Sequence, residues 1–257
     1  YLKKNNLERF TGGTKIIENF LYGVLPGGPY SPGDTFAITQ EQVETGGEFD
    51  PKFYQTSVSI PLEFTEVYNK GENAVFRLID SRLQVAALSM SARLSIALYN
   101  EGQTAARKLH LNGLAEQISD GVVNSYTAAT YTTYGGNTRG GTIGGALNSQ
   151  MAGPAANING PISYAIIEES YNSVVIGDEF PNLIATTNLG MTYINRHFQP
   201  QQRFETVDPN IGFQAMKFKA AMMIQSQYAP GSKGVNDAKL GNYLASAGET
   251  LWLLNTK

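Results

Sequence analysis

The feature of this sequence that most limits its possible folds is a long apolar periodicity over residues 72–101. Apolar residues recur there every three or four positions, at Val75, Ile79, Leu83, Ala86, Ala87, Met90, Leu94 and Leu98. This spacing predicts an amphipathic helix, with the acidic Glu72 at its N-terminus and Gly102 ending it. At about 1.5 Å per residue the helix would be about 45 Å long, against about three turns for an average helix. Such a helix needs a sheet or neighbouring chains along it, whereas an ordinary core helix explains only its apolar face.

The composition indicates a folded chain with little charge on its surface. Hydrophobic residues make up 42% of the 257 residues, which is enough to bury a core in one or two domains. Charged residues make up only 16%, compared with about 25% in an average soluble domain. A freely soluble monomer normally covers its surface with charged side chains. The shortage therefore favours a surface that largely contacts other copies of the chain.

The few charges are divided unevenly along the sequence. Residues 1–20 carry four basic and two acidic residues, a net charge of +2, whereas residues 23–50 carry five acidic and no basic residues. Residues 1–20 have too little apolar surface to fold alone, so we expect an arm that docks on something else. Complementary charge between arm and loop could guide subunit contacts, although an exposed ion pair contributes only about 0–1 kcal/mol. The candidate subunit-contact residues are Lys3, Lys4, Arg9, Asp34, Glu41, Glu44, Glu48 and Asp50.

A long loop precedes the predicted helix. Residues 23–50 contain six glycines and three prolines, interrupted by a strand-like piece at 35–39. A connection of this length inside a compact domain is usually functional or disordered. Residues 53–60 alternate and are rich in β-branched side chains, which predicts a strand, most clearly over 54–60. Together, residues 24–60 predict a long, reaching β-hairpin.

The rest of the chain has the pattern of a mixed α+β body. Helices are predicted at 162–175 and 189–198, on either side of a β-branched strand at 182–187. Further strands are predicted at 214–219, 222–228 and 250–255. The glycine-rich tract at 134–145 is interpreted as a structured loop rather than a phosphate-binding loop, because no lysine follows it.

Several classes of functional site have no sequence signature here. The chain has no cysteine, which excludes disulfides and thiolate metal sites, and its two histidines, His110 and His197, lie far apart. No zinc-protease histidine pair, calcium loop or phosphate-binding loop is present. The apolar runs are too short to cross a membrane, and a pI of about 5.5 with no basic stripe argues against a nucleic-acid reader. We predict no cofactor and no metal.

Two carboxylates offer the only candidate for acid–base chemistry. Glu168 and Glu169 are adjacent in a predicted helix and therefore point apart, which is poor geometry for a catalytic pair. His197 beside Arg196 suits the negative end of a helix dipole better than a catalytic role. We therefore predict no catalytic residue, and a β-rich hydrolase using Glu168 or Glu169 remains an alternative.

The order of these parts resembles the major capsid proteins of tailed bacteriophages and prophages. The chain begins with a basic arm, a long loop, a strand at 54–60 and a long spine helix. An α/β body follows, and it ends with the sequence motif at 248–255. The resemblance covers nearly the whole chain. It is carried further by Gly113-Leu114, by Arg139-Gly140-Gly141, by the strand at 182–187, by Asp208-Pro209 to Gly212-Phe213 before the 216–228 hairpin, and by Gly241-Asn242-Tyr243.

The resemblance implies the tailed-phage major capsid fold, an α+β fold with an extended β-hairpin loop, a long spine helix and an axial α/β domain. Residues 1–23 would be an N-terminal arm that wraps other subunits, and 24–66 an extended loop and strand that lies over an adjacent subunit. Residues 67–104 with 240–257 would form the peripheral domain, and 105–239 the axial domain. Members usually continue beyond Asn255 with another strand, so the peripheral domain is expected to be incomplete here.

The implied function is structural rather than enzymatic. The chain would be a subunit of an icosahedral phage head that self-assembles into hexamers and pentamers and encloses DNA without sequence-specific binding. Its partners would be other copies of itself, with scaffold and portal proteins, and no membrane. It would be found in the virion, after assembly in the cytoplasm of a bacterial host. An encapsulin-type nanocompartment shell is the alternative with the same fold.

Overall fold

The computed structural model describes residues 12–21, 23, 25–35, 41–63, 78–105, 107–119, 129–138, 160–175, 177–198, 216–232 and 248–256. These residues form both helices and strands, so the chain is of the α+β class. The strands are β1 Ile16–Leu21, β2 Glu44–Phe49, β3 Thr133–Tyr134, β4 Asn137–Thr138, β5 Leu183–Thr186, β6 Met216–Phe218, β7 Ala221–Gln225 and β8 Leu251–Leu254. The helices are α1 Leu78–Tyr99, α2 Leu114–Gln117, α3 Tyr164–Val174 and α4 Asn188–Phe198.

A four-stranded sheet in the order β6-β7-β5-β8 forms the centre of the body. Strand β5 runs parallel to β7 and antiparallel to β8, and β6 and β7 form a hairpin. All four residues of β5 are buried, as expected for a short apolar strand covered on both faces. The strands predicted at 182–187, 214–219, 222–228 and 250–255 are confirmed, with ends that differ from the predicted ones by up to three residues where the structure describes them.

Helices α3 and α4 cover one face of this sheet. Ile184 of β5 and Met223 of β7 pack in one apolar cluster with Ile167 of α3 and Ile194 of α4. Helix α3 begins after Ser163, whose hydroxyl oxygen accepts a hydrogen bond from the Ile166 amide at 3.4 Å and so satisfies one free N–H of the first turn. The helices predicted at 162–175 and 189–198 are therefore confirmed.

The other face of the sheet receives the end of the long helix. Ala185 and Trp252 share a second cluster with Tyr99, the last residue of α1, and with Leu114 of α2. Successive residues of a strand point to opposite faces, so Ile184 and Ala185 belong to different clusters. Burial raises the pKa of the Tyr99 phenol, because the ionised form loses its hydration.

The predicted spine helix is confirmed over Leu78–Tyr99, which is 22 residues. Residues 72–77 lie outside the described residues, and the helix ends at Tyr99 rather than continuing to Glu101. The chain then folds back on the helix end, since a Cβ at Gly113 would lie 2.3 Å from the Asn100 carbonyl oxygen. Only glycine fits this close approach.

Two buried carboxylates stabilise this reversal of the chain. Glu101 accepts hydrogen bonds from the amides of Gln103 and Thr104 at 2.8 and 2.9 Å. Glu116 accepts from the Gly102 amide at 3.2 Å and from the Asn112 side chain at 2.8 Å. Because a buried charge is stable only when its lone pairs are satisfied, these bonds account for both carboxylates without a catalytic role.

The reaching hairpin exists, but its legs are not the predicted ones. Strands β1 and β2 pair antiparallel from Ile16↔Phe49 to Leu21↔Glu44. One leg therefore comes from the segment predicted to be a free arm, and the prediction that 24–60 forms the hairpin is wrong in this respect. The predicted strand over 54–60 is also wrong, because these residues belong to no strand of the structure.

Several predicted features fall outside the described residues. They are residues 1–11 of the arm, residues 36–39 of the short strand-like piece, and the motifs at 139–141, 208–213 and 241–243 on which the capsid-protein resemblance partly rests. In the glycine-rich tract, Gly135 and Gly136 form the turn between β3 and β4, where both have positive φ. The rest of that tract lies outside the described residues.

Candidate assembly surfaces

Helix α1 leaves large apolar side chains uncovered over most of its length. Leu88 is 65% exposed and Leu83 is 56% exposed. Only the C-terminal part of the helix enters the core, through Ala92, Ile96 and Tyr99. We name the uncovered part the open helix surface; it consists of Ile79, Leu83, Val85, Leu88 and Leu94.

The open helix surface is apolar on both sides of the helix. Since successive residues of an α-helix are about 100° apart, Ile79, Leu83 and Leu94 share one side. Val85 and Leu88 lie on the other side. The predicted single apolar face is therefore wrong, and the predicted face is itself largely exposed. Polar residues such as Arg82 and Gln84 separate the two apolar sides, and the described part of the protomer leaves large apolar side chains on both sides uncovered.

The hairpin carries a second exposed apolar region at its tip, which we define as residues 25–35. Leu25 and Tyr30 are both about two-thirds exposed there. The tip has a turn in which the Asp34 amide donates to the Ser31 carbonyl oxygen at 3.0 Å, and the Asp34 carboxylate accepts from the Ser31 amide at 2.6 Å. These bonds stabilise the turn locally.

The root of the hairpin is fixed to the body. The rings of Phe20, Phe49 and Tyr134 form a cluster with centroid separations of 5.1 to 6.4 Å. The Glu48 amide donates to the Gly135 carbonyl oxygen at 2.9 Å. Aromatic pairs in such edge and offset arrangements contribute beyond their buried area. The root of the hairpin is therefore held against the β3–β4 turn.

The acidic contact candidates lie on or beside the hairpin. Glu48 forms an ion pair with Lys15, and its hydrogen bond and charge raise the pKa of Lys15. Glu44 accepts a hydrogen bond from the Asn19 side chain at 2.9 Å. Part of the charge complementarity between arm and loop is thus satisfied within one chain. Glu41 and Asp50 are exposed, while Lys3, Lys4 and Arg9 lie outside the described residues.

The two carboxylates considered for catalysis have separate environments. Glu168 forms an ion pair with Lys219 at 2.9 Å, which joins α3 to the β6–β7 turn, and Glu169 is exposed. Lys219 also donates to the Asn172 side chain at 3.2 Å and lies 5.2 Å from the centre of the Tyr171 ring. Lys219 has a positive φ of 51°, which is uncommon for a residue with a side chain. Sequence reasoning missed this lysine, because nothing local in the sequence distinguishes it.

The described residues form neither a metal-binding cluster nor a membrane-spanning helix. Among the described residues, no three histidine or acidic side chains come together in a group that could hold a metal ion. No helix there is both long enough and apolar enough to cross a membrane. Comparisons with protein-family models, with curated proteins and with solved structures find no match for this chain.

Proposed function

We propose that this chain is a structural subunit of an icosahedral phage head that self-assembles into hexamers and pentamers and encloses DNA. The observation that carries the proposal is the open helix surface. Monomeric soluble proteins rarely leave large apolar areas uncovered, and such areas mark interaction sites. In a shell, neighbouring subunits would cover the helix on both sides.

The energetics favour several neighbours over a single partner. A fully buried large apolar side chain contributes about 1.5–3 kcal/mol, so covering the exposed parts of these five contributes about 4–8 kcal/mol. Association costs about 4–15 kcal/mol of lost freedom. The open helix surface alone is therefore marginal for one stable contact. A closed shell adds further contacts for each subunit, and these make assembly favourable as a whole.

The hairpin also supports the proposed shell function, because its exposed tip suits a contact with a different surface on a neighbouring copy. Its root is fixed to the body and its tip exposes Leu25 and Tyr30. A tip on one copy that meets a different surface on the next is a heterologous contact, which builds rings and closed assemblies when the rotation closes. This agrees with the resemblance, in which the loop lies over an adjacent subunit.

The tailed-phage major capsid fold and its division into arm, loop, peripheral and axial domains are part of the same proposal. The order of hairpin, long helix and sheet-centred body supports the proposed fold. Strand β8 at Leu251–Leu254 pairs with β5, so one sheet contains strands from both the 105–239 and the 240–257 parts of that division. Location in the virion and contacts with scaffold and portal proteins follow from the proposal. The formal net charge of −3 is compatible with DNA that is enclosed rather than tightly bound.

Shortening the hairpin tests the proposed function. Replacing residues 25–40 by Asn-Gly, a pair that favours tight hairpin turns, keeps the β1–β2 register and is expected to leave a folded monomer and abolish assembly. The root keeps the β1–β2 ladder and the aromatic cluster, whereas the tip is lost. Sedimentation velocity measures the assembled fraction, and circular dichroism measures folding.

The matched control for this deletion is Gly28→Ala in the same tip. A Cβ at Gly28 would meet no atom within 4 Å, so the tip keeps its length and surroundings. This variant is expected to assemble like the unaltered chain. Shells of normal size from the shortened hairpin would contradict the proposed role of the tip.

A further inference from the structure

One side of α1 carries an apolar stripe that runs along the exposed part of the helix. We define the apolar stripe by its six members, which are Ile79, Leu83, Ala86, Ala87, Met90 and Leu94. Since successive residues of an α-helix are about 100° apart, all six fall within about 100° around the helix axis. Ile79 and Leu83 are more than half exposed, and Leu94 is 42% exposed. The described part of the protomer therefore leaves most of the stripe open.

The body of the protomer limits the apolar stripe at its C-terminal end. Ala97 lies on the same side of the helix, but it is only 2% exposed. The chain reversal after α1 covers it, since a Cβ at Gly113 would lie 2.6 Å from the Ala97 carbonyl oxygen. A partner therefore meets an open stripe from Ile79 to Leu94, about 22 Å long.

The order of side chains in the apolar stripe is symmetric about its middle. Ile79 and Leu94 lie equally far from the middle, and so do Leu83 and Met90, while two alanines occupy the middle itself. Each pair consists of side chains of similar volume. A two-fold contact requires this symmetry, because residue i of one copy then meets residue j of the other, and j meets i. A partner of different sequence would not require it, so the symmetry selects a second copy of α1 as the occupant.

We infer that α1 packs antiparallel on α1 of a second copy, about a two-fold axis at the middle of the apolar stripe. In this register Ile79 lies beside Leu94 of the second copy. Leu83 lies beside Met90 of the second copy, and alanine meets alanine at the axis. The small side chains at the axis allow the two helices to approach closely, and the larger ones on either side interdigitate. This register covers the open stripe from end to end.

The position of the body favours antiparallel over parallel packing. Helix α1 enters the core only towards its C-terminal end, through Ile96 and Tyr99. Antiparallel packing places the two bodies at opposite ends of the helix pair. Parallel packing would place both bodies at the same end, around helices whose axes are only about 8–10 Å apart.

The α1 pair deepens the proposed function, on which its place in a shell rests. Neighbouring hexamers and pentamers of an icosahedral shell meet at two-fold axes, where one patch contacts the same patch of another copy. The hairpin tip is proposed to meet an unlike surface and does not supply a contact of that symmetry. The α1 pair supplies it, and Val85 and Leu88 on the opposite side of the helix remain available to a different neighbour.

Disulfide trapping tests the register, since the chain has no cysteine of its own. Ala87→Cys places the two introduced thiols beside the two-fold axis, one residue apart along the helix pair. Their Cα atoms would be about 5–7 Å apart, which a disulfide spans. Met90→Cys is the control in the same stripe, because antiparallel packing leaves its thiols seven residues apart, about 10 Å along the axis. In a parallel pair the Met90→Cys thiols would face each other.

Both variants are assembled, oxidised with copper phenanthroline and run on a non-reducing gel. The expected result is a disulfide-linked dimer as the main product for Ala87→Cys and monomer for Met90→Cys. Equal cross-linking of the two variants shows parallel packing, and no cross-link for Ala87→Cys in assembled material shows that a different surface covers the stripe; either result overturns the inference. Ala86→Cys lies equally near the axis and is expected to cross-link in the same way, so it replaces Ala87→Cys if that variant fails to fold.

Electron microscopy of the unaltered chain separates this inference from the proposed function. Shells without Ala87→Cys cross-links overturn the α1 pairing and leave the shell function standing. Cross-linked dimers without shells support the pairing and contradict the shell. A chain that neither assembles nor cross-links contradicts both.

Discussion

Leu88→Asp is expected to leave the subunit folded and to abolish its assembly. Leu88 is 65% exposed on α1, so within the protomer the change resembles a surface substitution of about 0.5 kcal/mol or less. At a contact between subunits the same change removes an apolar contact of about 1.5–3 kcal/mol. It also buries an unpaired charge, which costs several kcal/mol more. The penalty recurs in every subunit, so assembled material is expected to fall below detection in sedimentation velocity.

Two control variants separate the contact from general effects of charge and sequence change. Leu88→Met keeps an apolar side chain of similar volume and is expected to assemble normally. Asn195→Asp adds the same negative charge at an exposed position of α4 and is also expected to assemble. Thermal unfolding monitored by circular dichroism should give similar midpoints for all three variants. Normal assembly of Leu88→Asp would show that α1 does not lie between subunits.

Ile184→Ala is expected to lower the free energy of unfolding by about 4 kcal/mol, within the range of about 2–5 kcal/mol for such core truncations. Ile184 is fully buried in the central strand β5, where α3 and α4 leave little room for the site to collapse. Denaturant unfolding measures the change. Leu109→Ala is the matched control, because Leu109 is 83% exposed and its truncation should cost about 0.5 kcal/mol or less. Equal stability of the two variants would contradict the assignment of the core.

The central body could be predicted because its signals are local. Strand β5 is a short apolar run with a β-branched end, and α3 and α4 on either side of it have helical periodicity. Each pattern identifies its element without information about distant residues. The pairing of β5 with β7 and β8 depends on residues far away in sequence and was not predicted.

The hairpin shows why strand prediction from alternation failed nearby. Residues 54–60 have the composition of a strand but no strand partner among the residues that the structure describes, since alternation predicts an extended conformation and not a ladder. Strand β2 contains Gly46 and Gly47, which weaken any strand signal, yet it pairs with β1 over its whole length. The β1–β2 ladder forms only because two segments distant in sequence pair with each other. No local sequence pattern indicates which segments pair.

The candidate assembly surfaces were only partly predictable for a related reason. Periodicity located α1 and implied that its length needed neighbours, but it cannot distinguish an apolar side chain that faces the protomer core from one that faces another subunit. The charge pattern drew attention to Glu48, yet its pairing with Lys15 within the chain depends on the β1–β2 register. The contact of Tyr134 with Phe20 and Phe49 joins residues far apart in sequence.

Negative-stain electron microscopy of the unaltered chain, under capsid-assembly conditions and with scaffold protein supplied, tests the shell function most directly. The expected images show closed shells of uniform diameter built from hexamers and pentamers. Leu88→Asp, examined in parallel, should give none. Images that contain only monomers of the unaltered chain under these conditions would contradict the shell function.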